Sequence, residues 1–208
     1  CMQLVGVSTV LTASALVDRI KDQGVDIKAV ECEWVMLDQL AKQFSKKEKL
    51  IALAKSYLGW GELERAKIQD TAVVLFTSGS ESRPKAVPLH HANFLANMRD
   101  YNRFFFFRDD DRILGMLPPF HSFGLAGGTI LPLCMGIRVV YHSNPTEGAI
   151  LSSLVSRYRA TLIFATPTFI NGMLAGGRTG DLESIRILVT GAEKCPEYLY
   201  GKIGEAYP

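Results

Sequence analysis

Hydroxyls, a glycine and two cations stand together in Thr77-Ser78-Gly79-Ser80-Glu81-Ser82-Arg83-Pro84-Lys85-Ala86-Val87. The segment follows a compact apolar run at residues 72–76, which reads as a buried strand. Its polar groups therefore emerge from one strand end. Hydroxyls and backbone N–H groups suit phosphate oxygens, and Gly79 permits the backbone angles of a tight anion-binding loop. Lys85 supplies a mobile point charge and Arg83 a planar fork, and both offset phosphate charge. A plain polar turn ahead of a helix is the alternative reading. A Walker loop is excluded, because it ends Gly-Lys-Ser/Thr, whereas Pro84 precedes Lys85 and Ala86 follows it.

Two further segments leave predicted strand ends. Leu117-Pro118-Pro119-Phe120-His121-Ser122-Phe123-Gly124 carries a lone histidine, which by itself is as compatible with a structural role as with chemistry. Thr190-Gly191-Ala192-Glu193-Lys194 offers small residues that permit close approach of a ligand to the backbone, or an ordinary strand-to-helix turn. Lys194 reads as a solvated charge. Asp109-Asp110-Asp111 reads as a solvated turn, since adjacent carboxylates repel and nothing nearby supplies spaced metal ligands. His90 and His91, at a helix start, read as capping or packing residues.

The elements that must position these groups alternate along the chain. Strands are predicted at residues 6–11, 29–37, 71–76, 112–117, 137–141, 161–165 and 185–190. Helices are predicted at residues 13–21, 42–58, 92–104, 125–134, 146–158, 169–174 and 196–206, with a loop at 59–69. The alternation predicts an α/β fold, a layered and mostly parallel β-sheet with flanking helices, whose ligands sit beyond the carboxyl ends of the strands. Residues 1–69 form an N-terminal α/β portion and residues 70–208 an α/β subdomain bearing the loop. The aromatic run at residues 104–107 is expected to plug a core edge.

The 208 residues carry a net charge of +2 with no long basic run, which gives no reason to expect nucleic acid. Four cysteines lack any metal-ligand spacing and read as buried, reduced thiols, which suits cytoplasm. No metal site is expected. Residues 1–20 do not form a signal peptide. Residues 113–137 lack Asp, Glu, Lys and Arg, but three prolines and five glycines break any spanning helix.

The run from Phe76 to Val87 closely resembles the phosphate-loop signature of the acyl-adenylate-forming enzymes, with Ser82 where glycine is commonest. Phe120-His121-Ser122-Phe123 resembles the segment whose histidine lines the carboxylate pocket in that family, and Gly191-Ala192-Glu193 the segment that lies against adenine. Within the family, residues 70–208 resemble the synthetase half of the bacterial 2-acylglycerophosphoethanolamine acyltransferase/acyl-[acyl carrier protein] synthetase. Arg178-Thr179-Gly180-Asp181 spells the family's ribose motif, yet it precedes Gly191 instead of following it, so it reads as a flexible loop.

The resemblance implies ATP-dependent activation of a long-chain fatty acid to acyl-AMP, then transfer to acyl carrier protein, coenzyme A or a lysophospholipid. It implies that Thr77, Ser78, Gly79, Ser80, Glu81, Ser82, Arg83, Pro84 and Lys85 hold the phosphates of ATP, with Lys85 offsetting charge on the departing pyrophosphate. His121 would orient the carboxylate, and Gly191, Ala192 and Glu193 would receive the adenine. Magnesium accompanies ATP, but the glutamate motif that binds it and the acylation lysine belong beyond Pro208. The chain is thus expected to be an internal piece of a large N-terminal domain, inactive alone. A separate upstream domain could bring the parent to the inner face of a membrane. Two rivals stand beside this reading: a catalytically silent module that keeps the fold, and a phosphotransferase, which Pro84 and Ala86 disfavour.

Overall fold

Strand residues buried on both faces read as unbroken apolar runs, and the runs around residues 113 and 163 form the two central strands of a four-stranded sheet. The computed structural model describes residues 5–22, 24, 26–77 and 84–206. The chain divides into two units, residues 1–70 with 76–87, and residues 71–75 with 88–208.

In the first unit, β1 (Thr9–Thr12) and β2 (Glu33–Met36) pair in parallel, Val10 opposite Trp34, with helix α1 (Ser14–Asp22) between them in sequence. Asp38, in α2 (Leu37–Gln43), accepts a 2.8 Å hydrogen bond from the Ser14 N–H, an otherwise unpaired donor at the start of α1. Helix α3 (Lys46–Leu58) and the short α4 (Gly61–Glu64) follow. The single helix expected at residues 42–58 is in fact two. Phe44 ends the first and Ser45 caps the second: the Ser45 N–H donates to Glu48 Oε2 at 2.7 Å, and the Glu48 N–H donates to Ser45 Oγ at 3.2 Å. The strand expected at 29–37 is shorter, Leu37 already being helical, and the loop expected at 59–69 contains α4.

Strands β3 (Thr71–Thr77) and β4 (Lys85–His90) form a two-stranded sheet that leads into α5 (His91–Phe104). Sequence reading missed β4, which contains Pro88 and is mostly exposed. The Asn93 side chain accepts from the His90 N–H at 2.8 Å, satisfying a donor at the start of α5.

The second unit holds a four-stranded parallel sheet of β5 (Arg112–Gly115), β6 (Arg138–Tyr141), β7 (Leu162–Ala165) and β8 (Ile187–Thr190), in the order β6-β5-β7-β8. Leu114 lies beside Val140 and Ile163, and Ile163 beside Leu188. Side chains alternate between two cores, as a period of two requires. Leu114, Ile163 and Ala165 pack with Leu151 and Val155 of α8 (Gly148–Tyr158), Ile170 and Met173 of α9 (Pro167–Gly176), and Leu199 of α10 (Glu197–Ala206). Ile113, Leu162 and Phe164 face the other way, onto Met98 of α5 and Leu131 of α7 (Leu131–Met135). The architecture is therefore α/β, a parallel sheet with flanking helices, as expected.

Three expectations change. Asp111 is not solvated: it is 1% exposed, accepting from the Arg108 N–H and Thr161 Oγ1, both at 2.7 Å, and from Arg186 Nη2 at 2.5 Å. Burial pushes its carboxyl up, but these hydrogen bonds and the Arg186 charge outweigh that and hold it below the usual carboxylate range. Second, of the cysteines described, Cys134 is exposed and Cys32 and Cys195 only half-buried. Third, the aromatic run splits by direction: Phe105 and Phe107 turn inward, while Phe104 and Phe106 are over 80% exposed. Among the described residues no helix is long and apolar enough to cross a membrane.

Candidate functional site

Because β5 to β8 run parallel, the segments that follow them share one edge of the sheet. From β5 the chain moves sideways to β6, then returns past β5 to β7 and on to β8. The connections leaving β5 and β7 thus depart in opposite directions, and a crevice is expected between their carboxyl ends. His121 follows β5, Thr166 to Thr168 follow β7, and Gly191 to Glu193 follow β8.

His121 stands exposed at the start of the short helix α6 (Ser122–Leu125), and its N–H donates to Pro118 O at 3.2 Å. Its ring lies 4.8 Å from that of Phe120. The turn is held by Gly124, where an added Cβ would come within 2.3 Å of Pro118 O, so only glycine fits.

Phe123, two residues on, reaches across the crevice. Its ring stands edge-on to Phe164 at 6.2 Å and lies 3.2 Å from where a Cβ on Gly191 would be. The Gly191 N–H donates to Ala165 O at 3.2 Å, which ties the small-residue turn to the end of β7. Ala192 has φ of 65°, a left-handed conformation costing roughly 1–2 kcal/mol for a residue with a Cβ. Such strain persists only where surrounding structure imposes it, commonly at binding sites. Glu193 is exposed and accepts from Thr168 Oγ1 at 2.7 Å. Sequence reading missed Thr168, although its place just after a strand end was the available signal.

The histidine segment and the Gly191 turn are therefore brought together in the second unit. Of the predicted phosphate loop, Thr77 ends β3, and Pro84 and Lys85 stand at the start of β4, all exposed. Ser78, Gly79, Ser80, Glu81, Ser82 and Arg83 lie outside the described residues. The loop from Arg178 to Asp181 precedes β8 and so lies at the opposite edge of the sheet, where Asp181 Oδ2 accepts from the Arg178 N–H at 2.9 Å. Asp111, Thr161 and Arg186 likewise precede their strands. Their ion-pair cluster fastens the edge remote from the crevice.

A second histidine was missed. His142 directly follows β6, its N–H donates to Gly115 O at 3.0 Å, and its Nε2 lies 2.6 Å from Glu147 Oε2. The His142 hydrogen bond, with one from Asn144, holds the Glu147 carboxyl below its ordinary range. Among the described residues no group of three His, Cys, Asp or Glu side chains is placed to hold a metal ion.

Comparison with known proteins places the chain in a family. The AMP-binding enzyme family model matches residues 1–208. Feruloyl-CoA synthase of Amycolatopsis sp is 34% identical over 131 residues, covering 62% of this chain and 26% of that protein. The medium-chain-fatty-acid–[acyl-carrier-protein] ligase TtuA of Teredinibacter turnerae is 35% identical over 103 residues, covering 46% of this chain and 15% of that protein. The chain thus spans about a quarter or less of the length of these relatives. The solved O-succinylbenzoate coenzyme A synthetase of Bacillus subtilis, in complex with ATP and magnesium ion, superposes with a TM-score of 0.74 at 21% identity, over 100% of this chain and 40% of that one. By the family match across its whole length, this chain belongs to the AMP-binding enzymes.

Proposed function

We propose that the chain forms the substrate-receiving part of an enzyme that activates a carboxylic acid with ATP. A carboxylate oxygen bonds to the α-phosphorus while the bond to the bridging oxygen breaks, giving acyl-AMP and pyrophosphate. A thiol of coenzyme A or acyl carrier protein then attacks the acyl carbonyl, and AMP leaves. The acid class is a fatty acid, and the resemblance to an acyl-[acyl carrier protein] synthetase supports a carrier-protein acceptor, as does the similarity to the acyl-carrier-protein ligase TtuA.

The observation that carries this reading is the contact of Phe123 with Gly191, which joins the histidine turn and the small-residue turn in one crevice. His121 orients the carboxylate by hydrogen bonding, holding the attacking oxygen in line. The backbone of Gly191 to Glu193 receives the adenine, and Thr168 steadies that turn through Glu193. Lys85, with Thr77, Ser78, Gly79, Ser80, Glu81, Ser82, Arg83 and Pro84, holds the β- and γ-phosphates, and its charge offsets that on the departing pyrophosphate. Magnesium would accompany the nucleotide and supply charge to neutralise phosphate oxygens. No described residue set is assigned to it.

Carboxylate-dependent exchange of labelled pyrophosphate into ATP tests the reading in the full-length protein. Wild type should exchange, and a Lys85→Ala, Ser78→Ala double variant should lose on the order of 10²-fold or more. Undiminished exchange in that variant refutes the loop assignment. ATP binding without exchange for any acid would favour the silent-module rival.

A further inference from the structure

Helix α3 buries none of its 13 residues, and every one of them is exposed. A helix of that length is marginal in water unless packing covers one of its faces. Its apolar residues nonetheless gather on one side. Leu50, Leu53, Ala54, Tyr57 and Leu58 recur at i, i+3, i+4, i+7 and i+8, the spacing of a helix that covers a single face. Trp60 and Leu63, in the turn and in α4, extend the exposed apolar surface. An opening of about 420 Å³, with Leu58, Trp60, Leu63 and Arg65 in its lining, lies where α3 gives way to α4.

The same helix concentrates positive charge. It carries Lys46, Lys47, Lys49 and Lys55 against Glu48 alone, a surplus larger than the +2 of the whole chain. Glu48 is turned onto Ser45, whose N–H and Oγ both donate to its Oε2 at 2.7 Å. Lys46 and Lys47 precede Leu50 by four and three residues, so they continue the apolar face toward the helix start. Lysine stems cover apolar surface while their ammonium groups stay in water. Three lysines in a first turn also oppose the helix dipole, so they do not serve the helix itself. They point to an anionic partner.

We infer that α3 and the turn into α4 lie flat on an anionic lipid surface. Leu50, Leu53 and Leu58 suit the hydrocarbon boundary, and Tyr57 and Trp60 have the part-apolar, part-polar rings that settle at headgroup level. The lysines meet lipid phosphates. The helix rests on the surface without spanning it, since 13 residues reach only about 20 Å against a hydrocarbon core of about 30 Å. The inference is independent of the activation chemistry proposed above.

Co-sedimentation of the full-length protein with vesicles tests it, using phosphatidylcholine alone and phosphatidylcholine with roughly 30% phosphatidylglycerol at low salt. Wild type should favour the anionic vesicles, and added salt should release it. A Lys46→Gln, Lys47→Gln, Lys49→Gln variant should bind them about 100-fold more weakly, since each lysine contributes roughly fivefold. A Leu53→Ser, Leu58→Ser variant should lose at least about tenfold on the same vesicles. All five positions are exposed, so melting temperatures should stay near that of wild type. A wild type that binds neither vesicle, or variants that bind as wild type does, would overturn the inference. A changed oligomeric state in the leucine variant, with vesicle binding unmoved, would assign the face to a second copy and overturn it too. So would a raised KM for acyl carrier protein in the lysine variant with vesicle binding unmoved, which would assign the face to an acidic protein.

Discussion

Replacing Asp111 should loosen the whole parallel sheet, although the residue is remote from any proposed substrate. Its carboxylate is 1% exposed and joins three strand approaches: its own, that of β7 through Thr161, and that of β8 through Arg186. Asp111→Ala would strand the Arg186 guanidinium, whose Nε is already buried without a partner. Breaking a buried pair costs about 3–5 kcal/mol, and the 23% exposure of Arg186 argues for the lower end, about 3. In a domain of this size that lowers Tm by about 6–12 °C. Asp111→Asn keeps an acceptor and the shape while losing the charge, so it should cost only about 1–2 kcal/mol. The pH dependence has a fixed sign. Because the folded carboxyl is held below its ordinary range, its stabilisation is complete above the unfolded value of about 3.9 and disappears as pH falls through the lower folded value. Thermal melts of wild type and both variants, from neutral pH downward, should show the wild-type advantage shrinking only in that acid window. A cost below about 1 kcal/mol for Asp111→Ala, or an advantage over Asp111→Asn that ignores acid, would refute the argument.

Two other substitutions probe separate links. Gly124→Ala forces a Cβ to within 2.3 Å of Pro118 O and should cost about 1–3 kcal/mol by overpacking. Since Pro118 and Gly124 bracket His121, KM for the carboxylic acid should rise as well, measured by pyrophosphate exchange. Ser45→Ala removes the reciprocal cap of α3 and should cost about 1 kcal/mol, read as faster amide exchange in the first turn of that helix.

The sheet was legible where both faces are buried. Residues 162–165 are a continuous apolar run, buried at every position. The break at Ser45 was also written in the chain, as Ser45-Lys46-Lys47-Glu48 before an apolar run, but helical periodicity on either side masked it. β4 left no such trace, because an exposed strand holding Pro88 lacks both alternation and an apolar run. Asp111 could not be read at all. A triple aspartate looks solvated, and its partners Thr161 and Arg186 stand 50 and 75 residues away. At the candidate site, His121 and Gly191 were singled out from motif order. His142 and Thr168 obey the same rule of position after a strand and were passed over because no motif drew attention to them.

A crystal structure of the full-length protein with a non-hydrolysable acyl-adenylate mimic would bear most directly on the whole account. The adenine should lie along the backbone of Gly191 to Glu193, with the acyl carbonyl beside His121. Adenine bound at any other place, with Phe123 still closed over an empty Gly191 turn, would contradict it.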